Sequence, residues 1–101
     1  MRHLVITTAA RRQLGEIIAY IARESGSRRV ALAFRKRLAV KFEKLRVLQA
    51  MLGTERSELS EGIRSTPVGN YLTFFRYSDS KVTIVAVIHA SRDVLSHFDT
   101  D

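Results

Sequence analysis

The chain has 101 residues, 46% of them hydrophobic, with one proline, no cysteine and a formal net charge of +7. That is enough for one domain with a modest core and too apolar for a disordered chain; no stretch approaches the ~20 apolar residues that span a bilayer, no signal-peptide pattern opens the chain, and disulfide and thiolate chemistry are excluded. A small cytoplasmic protein is expected, whose basic field favours polyanionic partners such as nucleic acid, the ribosome or an acidic protein segment.

Leu4-Val5-Ile6 reads as a short strand, and Thr7 and Thr8 are placed to cap a following helix through their side-chain oxygens. From Ala9 to Arg23 the pattern is helical, with Leu14, Ile17, Ile18 and Ile21 on one face. Gly15 within it costs about 1 kcal/mol relative to alanine. Ser25-Gly26 ends this helix, the glycine suiting a left-handed cap position, and Ser27 caps a second helix predicted from Arg28 to Leu48. Ala31, Phe34, Leu38, Phe42, Leu45 and Leu48 form its apolar stripe. The remaining surface is basic: Arg28, Arg29, Arg35, Lys36, Arg37, Lys41, Lys44 and Arg46 stand against a lone Glu43. A thinner strip of Ala33, Val40 and Val47, spaced by sevens, reads as contact with both the partner helix and the sheet.

Met51 to Glu61 is a polar, acidic linker, and Ile63 to Thr66 a short strand ended by Pro67, which cannot donate to a ladder. Asn70–Tyr77 and Val82–Ile88 follow as two strands joined by the turn residues Ser78-Asp79-Ser80, predicting an antiparallel hairpin. Alternation places Tyr71, Thr73, Phe75 and Tyr77 on one face and Leu72, Phe74 and Arg76 on the other. On the last strand it groups Val82, Ile84, Ala86 and Ile88 against Thr83, Val85, Val87 and His89. Neither face is wholly polar, so something must cover part of the second one. Val94, Leu95 and Phe98 predict a short terminal helix lying across a sheet face. The expected class is α+β: an N-terminal strand, a helical hairpin, then a three-stranded antiparallel meander completing one sheet, and a short C-terminal helix. A single domain is expected over residues 1–101, with its core over about 3–98.

Gly62 and Gly69 read as turn glycines and not as a phosphate-binding loop. His3, His89 and His97 are scattered, with no ligand spacing, so neither a metal nor a cofactor is expected. Ser91, His89 and Asp93 can be assembled into a triad on paper, but their local order fits no strand-turn-helix elbow. Ser91 or Asp93 reads better as a helix cap, and His89 as the end of the last strand. A metal-free ribonuclease needs a base, an acid and cations at the scissile phosphate. Arg64, Arg76, Arg92 and His97 are the residues that would supply them on one sheet face.

Glu58-Leu59, Gly62-Ile63-Arg64, Gly69-Asn70-Tyr71-Leu72, Phe75-Arg76 and His89-Ala90-Ser91-Arg92-Asp93, in this order and spacing, resemble the ParE branch of the RelE/ParE toxins. The resemblance covers roughly the whole chain. It implies a toxin of a type II toxin–antitoxin pair, neutralised by a cognate antitoxin whose disordered C-terminal region folds along it. DNA gyrase is the implied target, halted with its DNA cleaved and with no substrate turned over by the toxin. His89, Arg92, Asp93, Val94 and Phe98 are the expected target contacts. Tyr71, Thr73, Phe75 and Tyr77 on an open sheet face, with Val40 and Val47, are the expected antitoxin contacts. The alternative is a RelE-like, ribosome-dependent mRNA endonuclease. In that branch a C-terminal tyrosine often takes part, and here the pair reads His97-Phe98.

Overall fold

The computed structural model describes residues 1–94 and Phe98. Along the chain lie β1 (His3–Ile6), α1 (Thr8–Ser25), α2 (Arg28–Val47), β2 (Thr54–Glu55), β3 (Arg64–Val68), β4 (Tyr71–Tyr77) and β5 (Lys81–His89). They form one five-stranded sheet in the order β1-β5-β4-β3-β2. β1 runs parallel to β5, with Leu4 opposite Val82, and the other pairs are antiparallel. The expected strand, helical hairpin and meander are all present, with β2 added at the edge. Of the expected terminal helix only Val94 and Phe98 fall within the described residues.

Local chemistry sets the helix ends. Thr7 accepts the amide of Ala10 at 3.1 Å and Ser27 accepts that of Val30 at 3.2 Å, each satisfying a donor that the first helical turn leaves free. Gly26 closes α1 at φ 65°, in the left-handed region where glycine pays no Cβ penalty. The two helices cover one face of the sheet. Ile17 of α1 and Phe34, Leu38, Phe42 and Leu45 of α2 pack on Val68, Phe75, Val82, Ile84 and Val87. Tyr71 and Tyr77 border this core.

The sheet's opposite face carries a second cluster, built on Ile63, Phe74, Ala86 and Ile88. Leu59, Leu72, Val85, Val94 and Phe98 pack against it, and the rings of Phe74 and Phe98 lie 5.1 Å apart. The chain thus covers its own second face, through the 56–63 loop and the segment after β5.

A β-bulge changes which side chains share a face. Phe74 pairs with Ala86 but Phe75 pairs with Ile84, leaving Val85 without a partner on β4. One extra residue inverts the parity of the strand beyond it. Val82 and Ile84 therefore face the helices, whereas Ala86 and Ile88 face away, and Val87 returns to the helix side. The grouping of all four of Val82, Ile84, Ala86 and Ile88 on one face does not hold.

Two further expectations are corrected. β3 continues through Pro67, which pairs with Leu72. β2 pairs only Arg64 and Ser65, so position 67 lies where β3 has a neighbour on one side alone, and proline is tolerated there. The 51–61 stretch is not merely a linker: Leu52 joins the helix-side core and Leu59 the opposite one.

Candidate functional site

β1 ends at Ile6, opposite Ile84, so the second half of β5 has no strand on that side. The start of α1 takes over its backbone groups. The Thr7 amide donates to the Ile84 carbonyl at 3.1 Å, and the Thr7 hydroxyl to that of Val85 at 3.4 Å. Further along α1, Gln13 Oε1 accepts the Val87 amide at 2.9 Å. These bonds fix α1 against β5 and leave a cleft of about 940 Å³ where the helix and the end of the strand diverge.

Arg12, Glu16, Tyr20 and Arg23 line one wall, at the i,i+4 and i,i+3 spacing that stacks side chains on one helix face. Tyr71, His89, Ser91, Arg92 and Asp93 line the other. The Ser91 amide donates to His89 Nδ1 at 3.1 Å, so that nitrogen is the acceptor and the Ser91 hydroxyl, 2.7 Å away, donates to it as well. This pair closes the turn after β5, together with Ala90 N–H on the Asn70 carbonyl at 2.8 Å. The His89 and Tyr71 rings meet edge-on at 5.1 Å. Burial, and then the neighbouring Tyr20, push the Tyr71 hydroxyl's pKa up, while Arg92 opposes them.

The four residues proposed for RNA cleavage do not come together. Arg64 Nε donates to the Leu52 carbonyl at 2.7 Å and its NH2 group to that of Gly53 at 3.1 Å, tying down the loop after α2. Arg76 lies on the opposite face, bonded to Ser60 Oγ at 2.7 Å and the Glu61 carbonyl at 3.2 Å. Alternation explains the split, because Arg64 pairs with Phe75 on the helix side and Arg76 is the next residue on β4. Arg92 follows β5 at the other end of the sheet, where β4 begins. His97 lies outside the described residues.

The expected antitoxin contacts are also redistributed. Thr73 and Phe75 are wholly buried, with Tyr71 and Tyr77 on the helix-covered face, so this set is no open surface. The Tyr77 hydroxyl accepts the Leu52 amide at 3.1 Å, and Arg2 sits 4.3 Å over its ring. Val40 and Val47, in contrast, are 50% and 38% exposed. Together with Ala33, which is also exposed, they lie opposite the buried stripe of α2 and not in the seam with α1 and the sheet where they were expected. A second concavity, a groove of about 660 Å³, runs between the helices. Gly15, Ala19, Ala22 and Ala39 leave it open, Ile18 and Leu32 make it apolar, and Arg11, Arg28 and Arg35 edge it.

Of the expected target contacts, His89, Arg92 and Asp93 share the cleft, whereas Val94 and Phe98 pack on the second face of the sheet. Arg12, Tyr20 and Arg23 were not anticipated. Their shared helix face is legible from spacing, but that it faces the end of β5 is not. Among the described residues no helix is long and apolar enough to cross a membrane, and no group of three His, Cys, Asp or Glu side chains is placed to hold a metal ion.

The family model described as the ParE toxin of type II toxin-antitoxin systems, parDE, matches residues 4–94. A solved structure described as the chromosomal ParDE TA system from P. aeruginosa superposes with a TM-score of 0.77, covering 90% of this chain and 98% of that chain. At 18% identity, that likeness shows the fold. No curated protein matches the chain.

Proposed function

The chain belongs to the ParE toxin family of type II toxin–antitoxin systems, and we propose that it acts by binding DNA gyrase, turning over no substrate of its own, and is neutralised by a cognate antitoxin. The observation that carries the choice of a poison over a nuclease is the engagement of Arg64 and Arg76. Both guanidiniums hold loops, on opposite faces of the sheet. Stabilising a phosphorane needs preorganised cations aimed at one point. Phe98 also packs on Phe74, where the nuclease branch often places a tyrosine.

The test is a gyrase supercoiling assay run beside a ribosome-dependent mRNA cleavage assay. Accumulation of cleaved DNA, with intact mRNA, is the expected result. Site-specific mRNA cleavage that is lost in His97→Ala would overturn the proposal.

The antitoxin segment is assigned to the groove between α1 and α2, continuing over the Val40 and Val47 strip. An apolar trough edged by Arg11, Arg28 and Arg35, beside the basic surface of α2, is complementary to an acidic amphipathic segment that orders on binding. Hydrogen exchange should slow along both helices when the antitoxin is added. Protection confined to β4 would refute this placement.

A further inference from the structure

We propose that the cleft between α1 and the end of β5 binds an unpaired nucleotide of a nucleic-acid strand, its phosphates on Arg12, Arg23 and Arg92 and its base against Tyr20 or Tyr71. This goes beyond the gyrase assignment, because it is a direct contact with nucleic acid and requires no particular protein target.

Four observations converge on it. The cleft's volume of about 940 Å³ lies within the ~300–1,000 Å³ of small-molecule sites. Arg12 and Arg23 form no ion pair among the described residues, so neither guanidinium is held by direct contact with a carboxylate. Tyr20 is 49% exposed on the outer side of α1 with the Arg23 guanidinium 5.9 Å from its ring centre, an arrangement that core packing does not require. Tyr71 and His89 add two further ring systems on the opposite wall. Cations that track a backbone beside rings that accept a base are the working parts of single-strand binding sites.

Glu16 and Asp93 also line the cleft and reduce its net charge. A plain polyanion patch would not carry them. The α2 surface is such a patch, with Lys36, Arg37, Lys41 and Lys44 and only Glu43 opposing. Beside a bound base, the Glu16 carboxylate has a use, since it accepts from an exocyclic amine. The cleft therefore selects, and the α2 surface attracts.

The experiment is fluorescence anisotropy with an end-labelled single strand of about 12 nucleotides, a length that covers one binding groove, as DNA and as RNA, with the DNA duplex for comparison. Purified full-length protein is used at physiological salt, without gyrase or ribosomes, so the result stands apart from the target question. Arg12→Gln/Arg23→Gln should weaken single-strand binding about tenfold or more, and Lys36→Gln/Lys44→Gln, which removes the same charge from α2, by a clearly smaller factor. Tyr20→Leu should weaken it at least about fivefold with an unchanged salt slope, because a stacking partner is lost and no charge is. Binding of either the DNA or the RNA strand with this pattern supports the proposal, their ratio reporting the sugar. Tighter binding to duplex, equal effects of the two double variants, a neutral Tyr20→Leu, or no binding would each overturn it. All these side chains are exposed, and thermal unfolding of each variant confirms that the fold is intact.

Discussion

Gln13 on α1 accepts the backbone amide of Val87 on β5 at 2.9 Å, across 74 residues of sequence. It stands in for the strand that β5 lacks once β1 has ended, and so sets the angle at which α1 leaves the sheet. Val87 is only 2% exposed and the bond is part-buried, so water replaces the acceptor poorly. Gln13→Leu should cost about 1–3 kcal/mol, the penalty of an unsatisfied buried donor. In a domain of this size that lowers Tm by roughly 4–8 °C per kcal/mol. Hydrogen exchange at Val87 should accelerate in the variant; an unchanged Tm and exchange rate would show the bond to be dispensable.

Arg64 predicts a loss of stability and not of chemistry. Its side chain is 15% exposed and holds the carbonyls of Leu52 and Gly53. Arg64→Gln keeps one donor group but cannot span both carbonyls, and charged hydrogen bonds contribute about 1.5–3 kcal/mol each at most. Denaturant unfolding should show a lower midpoint, while any residual activity per folded molecule is unchanged. Full stability with lost toxicity would instead make Arg64 a functional residue.

Thr73 carries a wholly buried hydroxyl with no partner among the described residues. An unpaired buried hydroxyl costs about 1–3 kcal/mol. Thr73→Val keeps the branched shape and removes the oxygen, so Tm should rise by several degrees. A fall in Tm would reveal a partner, such as an ordered water, that the hydroxyl needs.

Much of this was legible in the sequence because it is local. Thr7, Ser27 and Gly26 announce the helix ends, and Leu14, Ile17, Ile18 and Ile21 mark the buried side of α1 through a period that needs no tertiary knowledge. What escaped is non-local. A single unpaired residue, Val85, reverses the parity of the end of β5, and nothing in a run of β-branched side chains marks where a bulge falls. β2 has two residues, too few to show any period. Arg64 and Arg76 look like phosphate ligands by residue type, but they hold loop carbonyls and a serine hydroxyl 11 to 16 positions away, which carry no sequence signature. The cleft shares this limit: one wall is a helix face, and the other arrives from β4 and the turn after β5.

Tyr71 sets a prediction at alkaline pH. Its hydroxyl titrates above the ordinary value of 10.0, chiefly because burial disfavours the phenolate. Above pH 10 the unfolded chain then loses this proton before the folded one does, so the folded state binds more protons and stability falls as pH rises. Below pH 10 the tyrosine contributes no slope. Tyr71→Phe keeps the ring against Phe34 and His89 and should flatten the alkaline limb of a Tm-against-pH curve. An equally steep limb in the variant would assign the loss to other groups.

The groove and the cleft flank α1 on different sides: Gly15, Ile18, Ala19 and Ala22 belong to one, and Arg12, Glu16, Tyr20 and Arg23 to the other. Neutralisation and poisoning should therefore be separable by single substitutions. Ala19→Asp puts an unpaired carboxylate into an apolar contact, where desolvation costs a few kcal/mol, and should raise the antitoxin Kd by about 100-fold. Supercoiling inhibition by the free toxin should be unchanged. Arg92→Ala should do the reverse, weakening inhibition of gyrase while calorimetry finds the antitoxin affinity intact. If Arg92→Ala weakens both to the same degree, the antitoxin reaches over the end of β5 and masks the cleft directly. In that case the assignment of the two activities to the two sides of α1 fails.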